Sequence, residues 1–114
     1  MMTLDELIFE LKKYPPELIA RRGFKHPHSY RGEYICLAFV PATNVTIQSM
    51  LDAAEQADGS TYSGWKGGQF KMDFKTNVYL AEHGKQGDEL SPLLLKYLIF
   101  HSNVMMAGSD EYDA

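Results

Sequence analysis

Two short stretches of the chain concentrate the side chains that could bind or transform a ligand. The first, residues 24–34, holds two histidines, a serine, an arginine and two tyrosines. The second, residues 61–68, holds three hydroxyl side chains, the only tryptophan, a lysine and three glycines. Each stretch precedes a strand-like run. We predict that both are loops and that they meet to form one binding surface.

Most of these residue types suit an anionic ligand that carries a flat ring. Arg31 offers a planar fork of donors for phosphate or carboxylate, and Lys66 adds a mobile positive charge. Aromatic rings can stack on a base, and glycines let backbone amides come close to an anion. The predicted ligand-binding residues are His28, Ser29, Tyr30, Arg31, Thr61, Tyr62, Trp65, Lys66, Gly67 and Gly68. The pattern is not a standard phosphate loop, because Trp-Lys-Gly-Gly leads into a strand and not a helix.

Metal binding and catalysis have less support from the same residues. His26 and His28 lie two positions apart, so in an extended segment they point to opposite sides unless Pro27 bends the chain. Ser29 or Cys36 could act as a nucleophile with either histidine as base, but the sequence marks no third group to orient that base. We predict no metal, no cofactor and no catalytic residue, and a small phosphodiester hydrolase remains an alternative.

A protein partner is another alternative. Exposed tyrosine, tryptophan and arginine are the residue types that contribute most to protein interfaces. The two loops could therefore form a contact surface for a second protein. The sequence alone leaves three functions open: non-catalytic binding of a nucleotide-like molecule, contact with a protein, and hydrolysis.

The composition is that of one folded domain. The chain has 114 residues, 45% of them hydrophobic, and a net charge of −4, which argues against disorder and against a general nucleic-acid binder. No apolar run approaches the roughly 20 residues of a membrane span, and no signal peptide is visible, so we expect no membrane association and a cytoplasmic location. Cys36 is the only cysteine and lies in an apolar run, which predicts a buried thiol and no disulfide.

The first half of the chain predicts two helices and two strands. Thr3 is placed to cap a helix over residues 3–14, with Glu6 as its capping-box partner. A short strand over residues 18–22 should end at Gly23. A central strand over 34–40 should end at Pro41, and a helix over 46–57 follows, with Thr46 or Asn44 near its cap.

The second half predicts a hairpin and a helix. Residues 69–73 alternate as a half-exposed strand does, and residues 76–81 are their predicted hairpin partner. Ser91-Pro92 begins the last helix, which is apolar nearly all round. Such a helix is either buried on several sides or packs against another copy of the protein, and we predict a homo-oligomer formed through it.

Together these elements predict an α+β fold with a small, mostly antiparallel sheet of three or four strands packed with about three helices. We predict a single α+β domain over residues 1–104 and a flexible tail over residues 105–114.

The two loops also support a resemblance. The pattern His26-Pro27-His28-Ser29-Tyr30-Arg31-Gly32, then Leu37-Ala38-Phe39, the helix over 46–57 and Thr61-Tyr62-Ser63-Gly64-Trp65-Lys66-Gly67-Gly68, resembles small uncharacterised proteins encoded by bacteriophages. The resemblance covers about residues 15–90. It implies an accessory protein of the bacterial host cytoplasm that counters host immunity. Such a protein would sequester a signal such as a cyclic nucleotide or ADP-ribose derivative, or block a host defence protein such as a CRISPR effector. No binding residues carry over from the resemblance.

Overall fold

The computed structural model describes residues 1–82, residue 84 and residues 86–99. Within them the elements follow in the order α1 (Leu4–Leu11), β1 (Ile19–Ser29), β2 (Leu37–Thr46), α2 (Ile47–Ala57), β3 (Thr61–Ser63), β4 (Gln69–Lys71), β5 (Val78–Leu80), β6 (Asp88–Glu89) and α3 (residues 92–99). This is the α+β fold that the sequence predicts. The predicted tail, residues 105–114, lies outside the described residues.

The main sheet has four strands in the order β1, β2, β5, β6, and β3 and β4 form a separate two-stranded sheet. β1 and β2 form a long antiparallel hairpin, β5 runs parallel to β2, and β6 runs antiparallel to β5. The prediction of a small, mostly antiparallel sheet is therefore confirmed. β2 is central in its first half, where Leu37, Ala38 and Phe39 are fully buried as predicted.

β1 extends much further than the sequence predicts. It continues through Gly23 to Ser29, and Ser29 pairs with Leu37 of β2. The register shifts between Lys25 and Pro27, because His26 adopts a φ of 42° and forms a bulge that takes up one extra residue. The predicted loop over residues 24–34 is therefore wrong in its first half, and only residues 30–36 connect the two strands.

β2 passes through Pro41, where the sequence predicts its end. β5 pairs with β2 only as far as Phe39, so Pro41 lies on a part of β2 whose strand neighbour is β1. A proline fits such an edge position because its missing N–H can face away from the sheet. β2 begins at Leu37 instead of Tyr34 and ends at Thr46.

The predicted hairpin between residues 69–73 and 76–81 is also wrong. β4 pairs with β3, and β5 joins the main sheet. Gly67 and Gly68 supply the two positive φ angles, 102° and 84°, that let the chain reverse between β3 and β4. Residues 74–76 instead accept hydrogen bonds from the first amides of α1, at 2.8 and 3.0 Å.

All three predicted helix starts are confirmed. The Thr3 amide donates to Glu6 Oε1 at 2.9 Å, which forms part of the capping box of α1. Thr46 Oγ1 and Ser91 Oγ each accept a hydrogen bond at 3.0 Å from an amide in the first turn of α2 and α3. Side-chain oxygens thus satisfy amides that a helix start leaves without partners. α1 ends at Leu11, three residues before the predicted end.

The main core joins the three helices to the sheet. Its largest buried side chains are Phe24, Phe39, Leu4, Leu7, Leu11, Leu37, Ile47, Met50, Met72, Leu90, Leu95 and Ile99. α2 lies directly on the backbone of β1 at Gly23, where an added Cβ would come within 2.7 Å of Met50 Sδ and 2.6 Å of Val45 Cγ2. Gly23 therefore permits close packing of the helix on the strand.

α3 is buried on one side and exposed on the other. Leu95 and Ile99 lie in the core, whereas Leu93 is 78% exposed and Tyr97 52% exposed. The apolar outer face fits the predicted homo-oligomer, which stays a prediction. Among the described residues, no helix has the length and apolar character needed to cross a membrane.

Candidate functional site

The two stretches that the sequence singled out do meet. The guanidinium carbon of Arg31, in the connection between β1 and β2, lies 3.6 Å from the centre of the Trp65 ring, in the loop between β3 and β4. Lys66 places its Nζ 5.8 Å from the centre of the same ring. One indole thus has two cations near it, and we call Arg31, Trp65 and Lys66 the cation–indole cluster.

A second contact joins the same two segments. The ring centres of Tyr34 and Phe70 are 5.5 Å apart, with the rings tilted by 50°. Phe70 also lies against the backbone of the loop, since a Cβ added at Gly64 would come within 2.8 Å of its ring. The Phe70 ring therefore packs against the backbone of the β3–β4 loop, whereas the Trp65 side chain of the same loop is exposed.

Backbone hydrogen bonds fix both segments. Tyr30 N donates to Cys36 O at 2.8 Å, and Cys36 N donates to Glu33 O at 2.9 Å, which closes the β1–β2 connection. In the β3–β4 loop, Gly64 N donates to Gly68 O and Gly67 N donates to Gly64 O. The Gly67 amide is thus already used within the turn and is not directed at a ligand.

The cation–indole cluster combines exposure with an unpaired donor. The Trp65 side chain is 59% exposed and Lys66 is exposed, whereas Arg31 is half-buried. The Nε atom of Arg31 is buried and has no hydrogen-bond acceptor among the described residues. A buried N–H without an acceptor is unfavourable for the folded state.

Tyr30 does not lie on this surface, contrary to the sequence prediction. It is only 7% exposed and stacks on Tyr79 with a centre-to-centre distance of 4.1 Å. The two rings form a small second core with Cys36, Ala38 and Ala81. Tyr30 is in the core because β1 extends to Ser29, which turns the following residue inward against β5.

Ser29 and His28 are likewise structural in this arrangement. The buried Ser29 hydroxyl donates to Tyr34 O at 2.7 Å. His28 Nδ1 lies 3.0 Å from Ser29 O and His28 Nε2 lies 3.2 Å from Ala81 O. A neutral imidazole donates to one of these oxygens and a protonated one donates to both. Their polar atoms are engaged within the protein, so neither residue joins the cation–indole cluster.

The remaining predicted residues lie on β3 or in its loop. Thr61 is exposed and pairs with Lys71 of β4, and Tyr62 is half-buried against the main core. Gly67 and Gly68 are exposed at the loop tip, where they provide the turn. Of the ten predicted site residues, Arg31, Trp65 and Lys66 are those that the structure brings together through side-chain contacts.

Cys36 has the environment of an inert thiol. It is 3% exposed, as the sequence predicts. Burial, the negative charge of Glu33 and a hydrogen bond to that carboxylate raise the pKa of Cys36 to about 11. Burial likewise raises the pKa of the neighbouring Tyr79. The thiolate is the nucleophilic form, so Cys36 is a poor nucleophile at neutral pH.

The environments of two residues in these segments were not predicted from the sequence. Ile35, in the β1–β2 connection, is 66% exposed, and Phe70 supports the glycine loop. Ile35 belongs to an apolar run that suggests a buried strand, so its exposure had no sequence cue. Phe70 was assigned to a strand, and its contact with Tyr34 depends on the pairing of β3 with β4.

Comparisons of the chain with protein-family models, with curated proteins and with solved structures gave no match. The resemblance to bacteriophage accessory proteins therefore stays a prediction. In the described part of the chain, no three His, Cys, Asp or Glu side chains come together as a metal site.

Proposed function

We propose that this protein binds, without chemical conversion, an anionic nucleotide-like molecule at the cation–indole cluster. The observation that carries the proposal is the 3.6 Å contact between the guanidinium of Arg31 and the exposed ring of Trp65. It joins an arginine, a lysine and an aromatic face on two segments that are 34 residues apart between Arg31 and Trp65. These are the groups that recognise phosphate and base together.

The chemistry assigns a role to each side chain. The Trp65 ring supplies a flat surface on which a base can stack. Lys66 and the half-buried Arg31 supply positive charge for a phosphate group. If the resemblance to bacteriophage proteins holds, binding of this kind would sequester a signalling nucleotide of the host.

The test uses Trp65 as its own probe, because it is the only tryptophan in the chain. The protein is titrated with a panel of cyclic di- and oligonucleotides and ADP-ribose derivatives while tryptophan emission and melting temperature are recorded. We expect at least one compound to change both. Arg31→Ala and Lys66→Ala should each weaken that compound, and chromatography should recover it intact.

A matched control distinguishes the loss of a specific contact from the loss of one positive charge anywhere on the surface. Lys75 Nζ lies 5.7 Å from the ring of the exposed Phe74, a geometry close to that of Lys66 and Trp65. Lys75→Ala removes the same charge at a different place and should leave binding unchanged. Equal losses in Lys75→Ala and Lys66→Ala would contradict a specific site, and turnover of the compound would favour the hydrolase.

A second candidate is direct contact with a host defence protein. Ile35 and Trp65 are 66% and 59% exposed on the two segments that Arg31 joins. An exposed tryptophan next to an arginine is typical of interface centres. This function predicts co-purification with one host protein that Trp65→Ala and Ile35→Ser abolish, together with no response to any nucleotide.

We also propose that the protein forms a homo-oligomer through α3. The exposed side chains of Leu93 and Tyr97 on α3 would be covered in a complex of two or more copies. Sedimentation of Leu93→Lys should show a shift from oligomer to monomer, and an unchanged sedimentation coefficient would contradict the prediction.

A further inference from the structure

We propose a second ligand site, separate from the cation–indole cluster, that binds a small amphiphilic anion: a phosphate or carboxylate group on an apolar body. The site is a groove of about 420 Å³ on the main sheet. It is lined by Arg22, Gly23, Lys25, Pro41, Ala42, Thr43, Leu80 and Leu98. None of these residues belongs to the cluster of Arg31, Trp65 and Lys66.

The groove lies where the sheet narrows. β5 ends at Leu80, opposite Phe39, while β2 continues to Thr46 with β1 as its strand neighbour. The described residues do not continue β5 beyond Leu80, which leaves a step beside β2 among them. Leu98 of α3 also lines the groove, so both the sheet and the helix contribute to it. Volumes of this size are typical of small-molecule sites.

The lining of the groove divides into an apolar part and a cationic part. Pro41, Ala42, Leu80 and Leu98 are apolar, whereas Arg22 and Lys25 bring two positive charges from β1. Among the described residues that line the groove, none is acidic. Lys25 takes part in neither the Lys12–Glu55 nor the Lys13–Glu10 ion pair, so its positive charge is the one that we assign to ligand binding. A ligand that matches this lining has one anionic group and an apolar body.

The experiment compares four probes by calorimetric titration below their micellar concentrations. Octyl phosphate and octanoate carry both features, octyl glucoside lacks the charge, and inorganic phosphate lacks the apolar body. We expect the two amphiphilic anions to bind more tightly than the other two probes. The relative affinities of octyl phosphate and octanoate then identify which anionic group the site prefers. Equal binding of octyl glucoside, or of inorganic phosphate, would overturn the proposal.

Variants locate the binding. Lys25→Gln should weaken the amphiphilic anions about three- to fivefold, the loss expected for one solvent-accessible charge contact. Lys75→Gln, which makes the same charge change outside the groove, should have no effect. Ala42→Phe fills the groove and should abolish binding. If that variant does not fold, Lys25→Glu provides the second test, because reversed charge should weaken binding more than Lys25→Gln does.

A last variant separates this site from the proposed function. Trp65→Ala removes the indole of the cation–indole cluster and leaves every residue of the groove in place. Binding of octyl phosphate should therefore be unchanged in Trp65→Ala. A loss of octyl phosphate binding in this variant, or equal effects of Lys25→Gln and Lys75→Gln, would contradict a separate groove site.

Discussion

The Arg31 guanidinium lies 3.6 Å above the Trp65 ring, and this contact links the end of the β1–β2 hairpin to the end of the β3–β4 hairpin. It joins two loops that lie 34 residues apart between Arg31 and Trp65. The tilted contact between Tyr34 and Phe70 acts at the same junction. Any ligand or partner of the cluster therefore meets a surface that is assembled before binding, which lowers the entropic cost of binding.

The Arg31–Trp65 contact should contribute measurably to stability. A double-mutant cycle with Arg31→Ala and Trp65→Leu, followed by urea unfolding, should give a coupling free energy of about 0.5–1 kcal/mol, as for a partly exposed cation–π pair. The same cycle with Lys66→Ala should give a smaller value, because Lys66 Nζ is 5.8 Å from the ring centre, near the limit of a cation–π contact. Equal coupling free energies in both cycles would contradict a specific cation–π contact between Arg31 and Trp65.

Gly23→Ala should destabilise the protein. The added methyl group would meet Val45 Cγ2 at 2.6 Å and Met50 Sδ at 2.7 Å. Overpacking of this kind costs about 1–3 kcal/mol, which exceeds the gain of about 0.4–1 kcal/mol from a stiffer unfolded chain. Denaturant unfolding measures the difference. Gly84→Ala is the control, because its Cβ would come no closer than 4.0 Å to Gln86 N and should cause no loss.

Ser29→Ala should lower stability by about 1 kcal/mol and leave ligand binding unchanged. The reason is that its buried hydroxyl donates to Tyr34 O and faces no ligand. Ser63→Ala serves as a comparison, since the exposed Ser63 hydroxyl accepts from Gln69 Nε2 at 2.8 Å and should matter less. A Ser29→Ala variant with full stability but weakened nucleotide binding would restore Ser29 to the binding site.

Cys36 should make the protein less stable at alkaline pH. Its pKa rises from 9.0 to about 11 in the folded protein, so the folded state holds the thiol proton more tightly than the unfolded chain does. The stabilising contribution is complete below about pH 9 and is lost as the pH rises to about 11.

Unfolding midpoints measured between about pH 9 and pH 11 give the change of stability with pH. Cys36→Ala should reduce the pH dependence of stability but not remove it. The raised pKa of Tyr79 also lowers stability as the pH rises, and this effect remains in the variant. At neutral pH, iodoacetamide should label Cys36 slowly in the folded protein and quickly in urea. Rapid labelling of the folded protein would show that the thiol is more accessible than its 3% exposure implies.

The starts of the helices were predicted well from sequence patterns, because a helix start is determined by residues that are close together in the sequence. Thr3 with Glu6, Thr46 and Ser91 all cap helices as their positions indicate. The ends of the strands failed because they depend on neighbours far away in the sequence. Pro41 is accommodated only because β5 stops at Leu80, and no local pattern contains that information.

The site was predicted in part for the same reason. Residue types singled out Arg31, Trp65 and Lys66, and the structure brings them together. Tyr30, like Trp65, was predicted to bind a ligand because of its residue type and its polar neighbours. The structure buries Tyr30 against Tyr79, because the length of β1 decides which way the Tyr30 side chain faces. Composition indicated what chemistry the loops could carry, and strand register decided which side chains reach the surface.

The position of β5 beside β2 also has a consequence for synthesis on the ribosome. Leu37, Ala38 and Phe39 pair with residues 78–80, so the edge of β2 stays open until that distant segment emerges. A nascent chain of about 60 residues carries an uncovered apolar strand edge. A chain cut before Val78 should consequently accumulate as aggregate and not as a smaller folded domain.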